Sequence, residues 1–149
     1  MLSRHILWES EMIYIIGNFI SRKHVTIKMI SAKTETEEID IWILNKSKDE
    51  LFLKESTLIL YECINWRTSI HRNELNIFTE KMKNRSGRCK LGFFIAWNGV
   101  TGKFNEELLR FTRGEEVVVL LTKEGIITAV KTETITNYLQ DEYSKALLR

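Results

Sequence analysis

Two acidic residues stand inside apolar runs. Asp40 interrupts "EEIDIWI", and Glu62 lies near the end of "LILYECINW". A carboxylate among aliphatic neighbours is costly to bury unless it is paired. If the two runs are neighbouring strands, both side chains reach the same edge of one sheet, where they repel unless a cation lies between them. A hard divalent ion such as Mg²⁺ or Mn²⁺ takes oxygen ligands, which Asp40, Glu62 and the backbone carbonyl of Cys63 can supply. An ion held there would bind a phosphate and lower the pKa of a bound water, the chemistry of phosphodiester hydrolysis. Positions 62 and 64 share one face of a strand, and position 64 is Ile64, a dry side chain beside the acids.

The elements that must position these residues follow from periodicity. Ile6, Leu7, Ile13, Ile16 and Ile20 recur at helical spacing in residues 3–21, with Ser3 as a cap and Gly17 as the weak point. "HVTIKMISA" alternates as a half-buried strand does, and "EEIDIWIL" is a second strand. "TLILYECI" is nearly continuous in apolar residues, which indicates burial on both faces. Leu75, Phe78 and Met82 then mark a helix that ends near Gly87, with Glu74, Glu80, Lys81 and Lys83 on its polar side. "KLGFFIAW" and "EVVVLLT" are further strands around the helix "KFNEELLRFTR", and the tail reads as helix from Thr132. Short connections make the first three strands an antiparallel meander. The later ones are reached through helices, which makes them parallel. The expected fold is α/β, a mixed β-sheet flanked by helices on both faces.

Composition narrows the class. With 149 residues, 44% hydrophobic and 28% charged, the chain suits one globular domain. A net charge of +2 is no global polyanion signal, although a local basic surface such as "KMKNRSGRCK" can contact a phosphate backbone. Cys63 and Cys89 have no metal-site spacing and are expected to be reduced thiols in a cytoplasmic protein. No apolar run approaches the roughly 20 residues of a membrane span.

The order of "EEIDIWI", "LILYECINW", "NELNIFTEKM", "LGFFIAWNGVTGKF" and "EVVVLL" resembles the PD-(D/E)XK, restriction-endonuclease-like superfamily, and within it the Mrr-like nucleases. The likeness covers residues 3–122. It implies a restriction-endonuclease-like fold and Mg²⁺- or Mn²⁺-dependent cleavage of DNA in the cytoplasm, in defence against foreign DNA. By this resemblance Asp40 and Glu62 are the catalytic, metal-binding acids and the Cys63 carbonyl is the backbone ligand. Glu11, ahead of Glu9, is the assisting glutamate of the first helix. Arg67, Lys90 and Trp66 are the nucleic-acid contacts, and Trp97 is a further aromatic at the same edge. His71 is a possible acid, base or phosphate contact.

The family places a lysine where this chain has Ile64. Another residue, Arg67 or Lys90, takes that role, or the module binds nucleic acid or a protein without cutting, or the position is altered in this chain. A purely structural or oligomerising domain is the reading in which Asp40 and Glu62 stand apart. Residues 1–131 form the nuclease domain in this reading. Residues 132–149 are a docking or dimerising helix or a link to a further domain, within a homodimer or multidomain assembly. On the sequence alone, Ile64→Lys would restore the missing charge.

Overall fold

The computed structural model describes residues 26–33, 38–45, 56–64, 67–111 and 114–149. The helix expected over residues 3–21, with Glu9 and Glu11, lies outside the described residues, as does Trp66. The described chain is α/β. Its elements run β1 (Thr26–Lys33), β2 (Glu38–Leu44), β3 (Leu58–Ile64), α1 (Arg72–Lys83), β4 (Cys89–Ala96), α2 (Gly102–Arg110), β5 (Val117–Thr122), α3 (Lys123–Lys131) and α4 (Ile135–Leu147).

The strands form one five-stranded sheet in the order β1-β2-β3-β4-β5. β1, β2 and β3 pair antiparallel, while β3, β4 and β5 pair parallel. The short β1–β2 connection, residues 34–37, suits a hairpin and the helix-bearing returns suit parallel pairing, whereas the longer β2–β3 connection, residues 45–57, is compatible with either. β3 is therefore the strand at which direction changes. It is covered on both sides, which explains its near-continuous apolar sequence.

Alternation along the strands separates two cores. Trp42, Leu60, Ile64 and Phe94 face α1 and α2, which bury Leu75, Phe78, Met82, Phe104 and Leu108 against them. Ile41, Tyr61, Cys63, Phe93 and Leu121 face the other way and meet Ile126, Leu139, Tyr143 and Ala146 of α3 and α4. Tyr61 and Phe93 stack there with centroids 4.6 Å apart. Glu62 belongs to the α1 face, because it alternates with Tyr61 and Cys63.

The tail holds the helix expected from Thr132, as α4, and an unexpected helix, α3, before it. The two are parted at Glu133, whose φ is 56°. The middle of "KEGIITAVK", Gly125 and the β-branched Ile126, Ile127 and Thr128, is weak in helix propensity. It is helical because the Thr122 hydroxyl accepts from the Gly125 amide and because Ile126 and Ala129 are buried against the sheet. α4 spends its apolar stripe in the same way, on Leu139, Tyr143 and Ala146, so it covers this chain's own sheet and leaves only Leu147 and Leu148 exposed among its large apolar residues.

α1 lies close to β4 because of Gly92. A Cβ built there would stand 2.6 Å from the Phe78 ring and 2.8 Å from the Met82 sulfur. The helix ends at a left-handed pair, Ser86 and Gly87, with φ of 54° and 72°. Gly92→Ala is expected to lift α1 from the sheet and to cost about 1–3 kcal/mol, measured as a lower urea midpoint at unchanged m-value.

Candidate functional site

Asp40 and Glu62 are direct cross-strand partners in the β2–β3 ladder. The pairing type follows from the ladder's end, where the Asn45 amide donates to the Thr57 carbonyl. Hydrogen-bonded and non-hydrogen-bonded pairs alternate in an antiparallel ladder. Counting back along the register, Ile39 and Cys63 form a hydrogen-bonded pair, and Asp40 and Glu62 a non-hydrogen-bonded one. The second kind brings side chains closer, and like charges placed so are destabilising. On the other side of β3, the Ile64 carbonyl accepts from the Trp97 amide, so even-numbered backbone groups of β3 face β4. The Cys63 carbonyl accordingly faces β2 and lies within the ladder.

The charge that relieves this repulsion comes from α1. Lys81 Nζ donates to Asp40 Oδ2 at 2.9 Å and to Glu62 Oε2 at 2.9 Å. The side chains of Lys81, Asp40 and Glu62 are 24%, 16% and 3% exposed, so the bridge is shielded at Glu62 and open to water toward Lys81. Burial works to lower the Lys81 pKa, but the charges and hydrogen bonds of Glu62 and Asp40 outweigh it and hold the ammonium above its ordinary range. The C-terminal end of the helix is tethered again by Arg85, whose guanidinium lies 4.2 Å from the centroid of the Trp42 ring on β2.

One oxygen of the site is left over. Asp40 Oδ1 is buried and has no hydrogen-bond partner. Glu74 Oε2, in the first turn of α1, is a second such atom. The donor set around Asp40 and Glu62 is all hard oxygen, with one acceptor unspent, and that fits a small divalent ion completed by water or substrate oxygens. Among the described residues no third His, Cys, Asp or Glu joins the two acids in a metal-binding group.

The other sequence candidates are distributed as follows. Ile64 is 1% exposed and packs in the α1-face core with Phe94 and Phe104, pointing into apolar surroundings. Lys90 lies at the start of β4, about 13 Å along the strand from the level of Glu62 at four residues' rise, and its ammonium pairs with Glu115 instead. Arg67 is exposed just past the end of β3. His71 caps α1 with its backbone and makes no side-chain cap bond. Trp97 packs against the α3–α4 core, with Lys123 Nζ 5.4 Å from its ring centroid. Cys63 and Cys89 are buried free thiols. Burial, reinforced by Glu62 and Asp40, pushes the Cys63 thiol far up, and burial pushes that of Cys89 up to about 12, so neither is a nucleophile.

Lys81 is the residue that periodicity misplaces, because it stands among the charged positions of α1. Its signal was its place beside Phe78 and Met82, at the flank of the buried stripe. Comparisons of the chain with protein-family models, with curated proteins and with solved structures found no match.

With the charge already supplied by Lys81, Ile64→Lys is expected to bury an ammonium among aromatic rings and to cost about 3 kcal/mol or more, read by urea denaturation. Lys81→Met leaves two opposed carboxylates without a counter-ion. Its cost is expected at about 2–4 kcal/mol, below that of a fully buried pair because the ammonium is partly hydrated. The raised Lys81 pKa makes this contribution fully present below the unfolded lysine value of 10.5, and it is lost as pH rises through the folded value. The stability gap between native protein and Lys81→Met should therefore close in melts recorded above that pH.

Proposed function

We propose that this domain is a metal-dependent nuclease of the PD-(D/E)XK type, acting on DNA phosphodiester bonds, in which the lysine is delivered by α1 rather than by the strand. The observation that carries this reading is the position of Lys81 Nζ, 2.9 Å from both Asp40 Oδ2 and Glu62 Oε2. Two acids and a lysine then meet at the strand where the sheet changes from antiparallel to parallel, with Ile64 relieved of any polar task.

Asp40 and Glu62 would hold one Mg²⁺ or Mn²⁺, which supplies a Lewis acid and an acidified water. Lys81 would orient the attacking water and offset the negative charge that builds on the phosphate. Glu62, shielded from solvent, keeps the ammonium in place between turnovers. Arg67, just past the end of β3, and Arg85, over Trp42 on the same sheet face as the two acids, would contact the flanking backbone, each phosphate contact adding salt-dependent affinity. A dimer or a partner domain would supply target recognition.

The alternative is a silent module in which the Asp40–Lys81–Glu62 bridge is a closed structural ion pair. It is favoured by the same two short contacts, which satisfy Lys81 without any ligand. The discriminating assay is cleavage of plasmid DNA with Mg²⁺ or Mn²⁺. Native protein is expected to cut. Asp40→Asn and Glu62→Gln should abolish cutting, and Lys81→Met should slow it on the order of 100-fold while the fold is retained by circular dichroism. A folded native protein that binds DNA but leaves it intact would establish the silent module.

A further inference from the structure

Lys81 occupies the space between the two carboxylates that a divalent ion would claim. Its ammonium contacts Oδ2 of Asp40 and Oε2 of Glu62 at equal distance, and the spare buried acceptor beside it is Asp40 Oδ1. The charges of Asp40, Lys81 and Glu62 sum to −1. A dication entering beside an ammonium meets repulsion at close range, in surroundings that screen poorly. A phosphodiester anion changes that balance, because it gives the ammonium a new partner.

We propose that Lys81 is a built-in competitor that keeps the free protein's affinity for divalent cations low and couples cation binding to the arrival of a phosphodiester. This inference rests on the cation site proposed above and concerns its control rather than its chemistry. The lysine is suited to the part. It comes from a helix on a long flexible stem, it is a quarter exposed on the side toward water, and its ammonium is held by hydrogen-bonded ion pairs to the two carboxylates that a phosphate oxygen can replace. When a phosphate approaches, the ammonium swings from Asp40 and Glu62 toward the phosphate oxygens. No covalent bond changes and no proton moves, since the ammonium stays protonated in both positions. The carboxylate oxygens it releases, with Asp40 Oδ1, become available to the dication. Linkage then requires the reciprocal effect, so that divalent ions raise affinity for the phosphodiester by the same factor.

The test is calorimetric titration of Mn²⁺ into native protein, Lys81→Met, Lys81→Arg and Lys81→Met with Glu62→Gln, with and without a short phosphorothioate-substituted DNA duplex. Without DNA, Lys81→Met is expected to bind Mn²⁺ about tenfold or more tightly than native protein, a coupling of ordinary allosteric size. Lys81→Arg should remain weak because it keeps the positive charge, and the double variant should lose the gain. The duplex should tighten Mn²⁺ binding by native protein more than by Lys81→Met. If Lys81→Met is unfolded in EDTA, Mn²⁺ should restore its circular dichroism spectrum.

Equal Mn²⁺ affinity in native and Lys81→Met protein would overturn the inference, as would a Lys81→Met chain that stays unfolded in Mn²⁺. The two readings fail separately. Cleavage by native protein with no gain in Lys81→Met affinity removes the competitor role and keeps the nuclease. A clear gain in a protein that never cuts keeps the competitor role and removes the nuclease.

Discussion

Two carboxylates directly opposite one another in a non-hydrogen-bonded strand pair set the problem that the α1 side of the molecule answers. Glu62 is almost completely enclosed and Asp40 faces it across the β2–β3 ladder. Left alone, the pair would repel and one of them would have to take up a proton. Lys81 removes that cost with a single ammonium. It can do so only if α1 runs along the sheet at a fixed height and a fixed rotation about its axis. The ion bridge thus depends on the packing of Phe78 and Met82.

The height of α1 is set by an absence. Gly92 presents no side chain on the face of β4 that receives Phe78 and Met82, and the ring and thioether fill that space. Phe78 in turn meets Phe94 edge-on, with centroids 5.2 Å apart and planes at 87°. Arg85 over Trp42 holds the end of the helix toward β2. These contacts are apolar or cation–π and insensitive to the state of the carboxylates, so the backbone of α1 can stay in place while the lysine head group changes partner.

The two faces of the sheet have different work. The face under α3 and α4 is apolar throughout its cluster, and the groups on it that carry protons, Tyr61 and Cys63, are held neutral by burial. Among the described residues the buried charged side chain is Glu62, on the α1 face, where water still reaches Lys81. Separation of this kind lets a charged site change state without disturbing the second core, because side chains on opposite faces of a strand do not touch.

Periodicity in the sequence was sufficient for the described strands, for the change from antiparallel to parallel pairing at β3, and for the expectation that Asp40 and Glu62 stand together. The strands follow from alternation and apolar continuity, and the parallel returns from the helix-bearing connections after β3. Periodicity was insufficient for α3, whose Gly and β-branched middle weakens its helix signal and which is fixed by its Thr122 cap and the burial of Ile126 and Ala129. The helix expected from Thr132 is α4, whose Leu139, Tyr143 and Ala146 are buried in this chain's own core. The cation was the largest gap. Lys81 lies 41 residues from Asp40 and 19 from Glu62, and it shares a charged run with Glu80 and Lys83. Which of those charges turns inward depends on the rotation of α1 about its axis by a fraction of a turn. The apolar stripe through Phe78 and Met82 puts Lys81 on its flank, but that this flank meets Asp40 and Glu62 is decided by how α1 seats on the sheet against Gly92, a matter of shape between distant segments.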